Sequence, residues 1–257
     1  MASYKKRGYK PSNKEERRKS AEEESTTAEV FNTLDEGASK TETWVADNQK
    51  YIYIIVGVAI VAVLGYLGYN RFIQEPKQNE AANEMAQAQD YMASALRSNG
   101  AQSDSLYNLA LTGGEGKYGF LDIIKNYGGT DAANLAHYNA GFAYLRTGKY
   151  QEAIDHLEDF SSDDEIFSAL AKGGIGDAFM QLDQPEEALG YYEKAAEMRS
   201  NSFTTPRFLL KAAITAIKLG KGEDAEEFLL QIEDEYPDAP EADKVPVYLG
   251  QARAMNK

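Results

Sequence analysis

The chain has 257 residues, 43% of them hydrophobic, a formal net charge of −14, two histidines and no cysteine. Those numbers exclude a disulfide scaffold, a zinc-cysteine site and a thiol enzyme. They also leave no net positive field for nucleic acid, whose binding rests on Lys and Arg neutralising phosphates.

Charge divides the chain into parts. Residues 1–50 hold ten basic and ten acidic side chains and residues 51–70 hold none, so the whole −14 falls on residues 71–257. The first twenty residues are basic through Lys5, Lys6, Arg7, Lys10, Lys14, Arg17, Arg18 and Lys19. No hydrophobic period runs through residues 1–24, which reads as a disordered basic tail. Thr26 followed by Glu29 is a capping-box pattern, and it predicts an amphipathic juxtamembrane helix over 25–49 bearing Val30, Phe31, Leu34 and Trp44. That face either docks on lipid or a membrane partner, or simply continues into the next segment.

Tyr51 to Asn70 reads YIYIIVGVAIVAVLGYLGYN, bracketed by Lys50 and Arg71. At about 1.5 Å per residue, twenty uncharged residues cover the roughly 30 Å hydrocarbon layer, which predicts a transmembrane helix over 50–72. Fifty polar residues precede it, unlike a cleaved signal peptide. Tyr51, Tyr53, Tyr66 and Tyr69 sit where interfacial aromatics sit. Membrane or juxtamembrane contact is therefore expected from Val30, Phe31, Leu34, Trp44, Lys50, Tyr51, Tyr66, Tyr69 and Arg71. Lys40 and Lys50 on one side balance Arg71 and Lys77 on the other, so local charge does not orient the span. The basic tail favours a cytoplasmic N-terminus, with residues 75–257 outside and, in a cell with two membranes, in the periplasm. A chain without cysteine is compatible with that compartment.

Beyond the span, Asn79 to Arg97 reads as a helix carrying Ala82, Met85, Ala86, Tyr91 and Leu96. Ser105 to Thr112 and Phe120 to Tyr127 read as an irregular pair divided by Gly113 to Gly119. That glycine run, GGEGKYG, has Tyr118 after Lys117 where a P-loop needs Ser or Thr, so it reads as a loop. His137 and His156 are nineteen apart with no HExxH pattern, which argues against a metal or general-base role.

Repeats dominate the remainder. Gly141 aligns with Gly176, Tyr144 with Phe179, Ala153 with Ala188 and Leu157 with Tyr192, a period of 35 residues. A third copy places Ala213, Ala216, Ala225, Leu229 and Ile232 in the same roles. Small residues on facing helices let an antiparallel pair approach closely, and TGK, DQP and GKG make the short turns. One pair cannot bury its own apolar face, so neighbours must stack on it. The pattern resembles the tetratricopeptide repeat, with clearest copies at 134–168, 169–203 and 206–240; His137, Lys172 and Leu209 stand where the repeat favours an aromatic. The fold class is all-α, a single N-terminal transmembrane helix followed by a tetratricopeptide-type helical-hairpin solenoid over 75–257.

The first helix of each pair lines the concave side of such a solenoid, the expected binding face. On this register it holds Leu135, Tyr138, Phe142, Leu145, Asp177, Met180, Arg207, Leu210, Lys211, Ile214 and Ile217. The fifth and ninth repeat positions are Tyr138/Phe142, Gly173/Asp177 and Leu210/Ile214, which lack the Lys, Asn and Arg of a carboxylate clamp. Any one of these apolar residues can equally be buried against a neighbouring helix.

Trp44, Val45, Asn48 and Lys50 before the span, and Gly65, Tyr66, Tyr69 and Phe72 at its end, lead into a repeat domain. In this arrangement the chain resembles the YfgM-like family of membrane-anchored tetratricopeptide proteins. The resemblance implies an inner-membrane ancillary subunit of the Sec translocon, with secreted polypeptides and a periplasmic chaperone or isomerase as partners. It implies no catalysis and no cofactor. A structural scaffold in envelope or outer-membrane assembly is the alternative.

Overall fold

The computed structural model describes residues 14–198 and 200–256, with side chains described from Glu42 onward. Two compact units divide at Tyr69 and Asn70. Within the first, one helix, α1, runs from Lys14 to Tyr69. It crosses the expected borders at 24/25 and 49/50 without a break. The stretch from Lys14 to Glu24 is rich in Glu, Lys, Arg and Ala, all good helix formers, and low hydrophobicity alone does not oppose a helix. Thr26 accordingly lies inside α1 and starts nothing, because a capping side chain acts only where the backbone before it leaves the helical region. Residues 1–13 of the expected tail lie outside the described residues, as do the side chains of Val30, Phe31 and Leu34.

From Ile54 to Ile73 the large apolar side chains are exposed, Val61 at 70%. The helical run from Glu42 to Arg97 contains a stretch long and apolar enough to cross a membrane. The α-helix itself ends at Tyr69, short of the expected residue 72, where Asn70–Gln74 form a π-helical turn.

The second unit is a run of antiparallel helices. After that turn come α2 (Glu75–Arg97), α3 (Ala101–Thr112), α4 (Phe120–Asn126), α5 (Asp131–Arg146), α6 (Tyr150–Asp159), α7 (Glu165–Gln181), α8 (Pro185–Glu197), α9 (Thr205–Lys218), α10 (Gly222–Glu235) and α11 (Val245–Met255). Among the described residues there is no strand, only an isolated bridge between Gly114 and Lys117. Upstream, α3 pairs with α2 and α4 with α5. The expectation of an α3/α4 pair is corrected: the two touch, but each packs mainly on another helix, and the Gly113–Gly119 loop between them is tightly closed. A Cβ on Gly113 would meet the Lys117 carbonyl oxygen at 2.2 Å, and one on Gly119 the Leu111 carbonyl oxygen at 2.3 Å.

Three pairs then follow, α5/α6, α7/α8 and α9/α10, with α11 covering the last. Each turn between paired helices has one left-handed residue at the equivalent place: Gly148 (φ 78°), Asp183 (φ 56°) and Gly220 (φ 77°). Small residues set the spacing within pairs. A Cβ on Gly141 would fall 2.5 Å from Leu157, and one on Gly176 2.6 Å from Tyr192. The buried apolar residues form three clusters along the stack, linked through half-buried Leu145 and Phe179. Phe120, Ile123, Tyr107 and Ala136 fill the upstream end, Ile154, Leu157 and Ile175 the middle, and Phe208, Leu229, Ile232 and Val245 the downstream end. Of the first helices, α5 touches α7 directly, and in tetratricopeptide stacks generally it is the first helices, here α5, α7 and α9, that line the inner side.

Candidate partner-binding face

The inner face begins with helix starts. Thr130 caps α5 by accepting from the Ala133 N–H at 3.1 Å, and Asp164 caps α7 by accepting from Ile166 and Phe167 N–H groups at 2.9 and 3.1 Å. The second cap holds Ile166 and Phe167 in the first turn of α7, where each is 42% exposed. Phe167 reaches across to α5. Its ring lies 5.3 Å from Tyr138, edge-on, while Phe142 and Phe160 lie 4.8 and 5.0 Å from the same ring. Separations of this size are favourable tilted aromatic contacts. Burial raises the Tyr138 phenol pKa, and the nearby Arg207 guanidinium partly offsets that.

Further along, α7 and α9 are tied by side chains. Asp177 accepts from Lys211 Nζ and from the Tyr192 hydroxyl, the latter at 2.7 Å. Burial, then the Asp177 charge and hydrogen bond, push the Tyr192 phenol far above its ordinary value. Thr215 Oγ1 is 3.7 Å from Met180 Sδ, and Lys218 Nζ is 3.0 Å from Asp183.

These facts sort the expected face. Leu210 is 5% exposed and belongs to the interior, which removes it from any binding surface; it sits on the side of α9 that packs into the stack. Leu135, Phe142, Leu145, Met180, Ile214 and Ile217 are half-buried against the core. Asp177 and Lys211 satisfy one another. Tyr138 is half-buried in the same way, whereas Arg207 is exposed, as are Ile166, Phe167 and Phe203, the last at 58%. Sequence reasoning missed these three because it looked at mid-helix repeat positions. For Ile166 and Phe167 the signal was present in the first turn of α7: apolar Ile-Phe shortly after Asp163-Asp164, where helix starts are ordinarily polar. The basic character expected for the face reduces largely to Arg207, since Lys211 and Lys218 pair with carboxylates of the preceding repeat.

In the first unit, Trp44, Lys50, Tyr51, Tyr66 and Tyr69 are all exposed along α1. Gln49 donates to the Tyr53 hydroxyl at 2.7 Å. Arg71, in the second unit, pairs with Glu75 one turn on.

Two family models, both described as tetratricopeptide repeat, match residues 135–163 and 168–240. The chain carries tetratricopeptide repeats. Among solved structures, a Podosopora anserina protein described as a kinesin light chain with nearly identical TPR-like repeats superposes with a TM-score of 0.50 at 14% identity, over 70% of this chain and 87% of that one. At that identity the likeness is one of fold. No curated protein matches the chain significantly. Tetratricopeptide arrays are typically noncatalytic protein-interaction scaffolds.

Proposed function

We propose that the protein is a noncatalytic, membrane-anchored tetratricopeptide adaptor of the Sec protein-export translocon. In this reading α1 spans the inner membrane with its N-terminus in the cytoplasm, and the solenoid stands in the periplasm, holding emerging polypeptides or recruiting a chaperone or isomerase. One observation carries it: a chain whose exposed apolar helix is long enough to span a bilayer also carries a repeat solenoid that presents Phe167 and Phe203 to solvent. Anchoring raises the local concentration of that side at the membrane, so weak intrinsic affinity for a passing segment suffices. The Sec assignment is supported by the resemblance around the span, through Trp44, Asn48, Lys50, Tyr66 and Tyr69.

Crosslinking in intact cells followed by mild detergent extraction tests the partner. Recovery of translocon subunits is expected, and recovery of envelope-assembly components in their place supports the scaffold alternative. Protease treatment of spheroplasts tests the topology. Residues 75–257 should be digested from outside, and their protection would overturn the export reading.

A further inference from the structure

The chain's two histidines, nineteen residues apart, meet between α5 and α6. His137 Nδ1 and His156 Nδ1 are 3.2 Å apart and their ring centroids 5.2 Å apart. His137 is 18% exposed, and the His156 ring stacks on Tyr144 at 5.4 Å and 19°. Contact at this distance requires one Nδ1 to carry hydrogen and the other to offer its lone pair. Asp159 Oδ2 lies 3.7 Å from His137 Nδ1, which favours the N–H on His137. The charges that bear on the two rings come from α6: Asp159 for both, with Asp155 and Glu152 for His156. Of the other neighbours, α5 supplies the uncharged Tyr144 ring, with Lys149 at the turn 5.5 Å from its centroid, and among the described residues no charge from α2, α3, α4 or α7 acts on the pair.

Protons enter such a pair in order. The first goes to Nε2 of His137 and leaves the hydrogen bond intact, now donated by an imidazolium beside Asp159. The second has only His156 Nδ1 to occupy. That sets N–H against N–H and one cation against another inside a half-buried helix contact. His156 is adjacent to Leu157, the side chain that fills the space over Gly141. Four residues beyond His156 stands Phe160, which completes the aromatic group around Tyr138.

We propose that the His137–His156 contact is a proton-sensitive latch on the first repeat: with no proton or one added it holds α6 against α5, and with two it releases α6 and draws Phe160 away from Tyr138. Acidification then dismantles the aromatic group around Tyr138. The docking role of that group rests on the function proposed above, whereas the opening does not.

Burial lowers the pKa of both rings, and for His156 the neighbouring His137 lowers it further. Opening therefore belongs below pH 6.5. Hydrogen–deuterium exchange on the full chain in detergent micelles, corrected for intrinsic rates, reads it directly. Protection of residues 150–160 should fall at least tenfold between pH 7 and 4.5, while residues 222–235 hold theirs. Equal behaviour of the two segments at every pH would overturn the latch. His156→Asn should abolish the difference. Should that variant fail to fold, histidine ring NMR on the unaltered chain decides: two coupled transitions below pH 6.5 support the latch, and two independent ones at the ordinary value refute it. Neither measurement involves a client, so their failure is distinguishable from failure of the crosslinking test.

Discussion

Neighbouring repeats approach closely where a residue has no side chain. Gly173 lies in the middle of α7, and a Cβ there would sit 1.9 Å from Phe208 Cε1 and 2.2 Å from Cζ. The Phe208 ring is 2% exposed and enclosed by the downstream core, so it has no solvent side to move into. Gly173→Ala thus sets two effects against each other. Ala in a helix interior is favoured over Gly by about 0.5–1 kcal/mol. Overpacking a filled core costs about 1–3 kcal/mol, and an overlap of more than an ångström with an aromatic ring belongs toward the upper end. The net expectation is a loss of about 1–2 kcal/mol. Gly190, on α8, serves as the control, because a Cβ added there would meet nothing within 4 Å; Gly190→Ala should gain about 0.5–1 kcal/mol.

Urea unfolding of the full chain in detergent, followed by helical circular dichroism, gives both values. The pairing with Phe208 is isolated by a double-mutant cycle. Phe208→Leu alone opens a cavity and destabilises, but it removes the ring edge that the new methyl strikes. Gly173→Ala should therefore cost less in the Phe208→Leu background than in the parent, by about 1 kcal/mol or more. Additivity within about 0.5 kcal/mol would refute the contact, and so would a Gly173→Ala chain as stable as its parent.

Other consequences follow from local chemistry. Asp183 occupies the left-handed turn position that its two counterparts fill with glycine, so Asp183→Gly should raise stability by about 0.5–1 kcal/mol in the same assay; its ion pair with Lys218 is highly exposed and offsets little. Tyr191 donates to Glu158 at 2.7 Å, and burial with that carboxylate pushes its phenol up to about 12. A raised folded value means that this contribution is complete below pH 10 and is lost as pH rises from 10 toward 12, so Tyr191→Phe should flatten the alkaline fall in urea midpoint over that window. Arg in place of both Val61 and Leu64 costs about 2.5–3.5 kcal/mol per residue at a span centre and should move the chain from the carbonate-resistant membrane pellet to the supernatant.

The repeat pairs were legible because their signals are local and redundant. Gly141, Gly176 and Ala213 mark close approach, Gly148 and Gly220 mark turns, and Ala153, Ala188 and Ala225 mark the facing helix, all recurring at nearly fixed spacing. The upstream pairing was not legible, since α3 and α4 are short and their partners are chosen by the tight Gly113–Gly119 loop rather than by period. Leu210 was misplaced because adjacent residues on one helical face can differ completely in exposure, depending on how deeply the next helix sits. The histidine contact escaped for a related reason. Nineteen residues is no motif, yet a helix, a three-residue turn and a returning helix bring those two positions level.

Charge is divided unequally between the two helices of the last repeat pair. Helix α10 carries seven acidic residues, Glu223, Asp224, Glu226, Glu227, Glu233, Asp234 and Glu235, and no base, whereas α9 carries Arg207, Lys211 and Lys218 and no acid. Paired antiparallel, the two put the negative charge of this repeat on its second helix. Lys211 and Lys218 then neutralise Asp177 and Asp183 of the preceding repeat, which leaves the first-helix side close to neutral with Arg207 in excess. An apolar segment approaching the second-helix side would have to displace water from ranked carboxylates. Ile166 and Phe167 at the start of α7 and Phe203 just before α9 are exposed apolar side chains instead, whose desolvation is favourable by about 25 cal/mol for each Å² covered. In the adaptor reading proposed above, the acidic second-helix side thus disfavours hydrophobic association there.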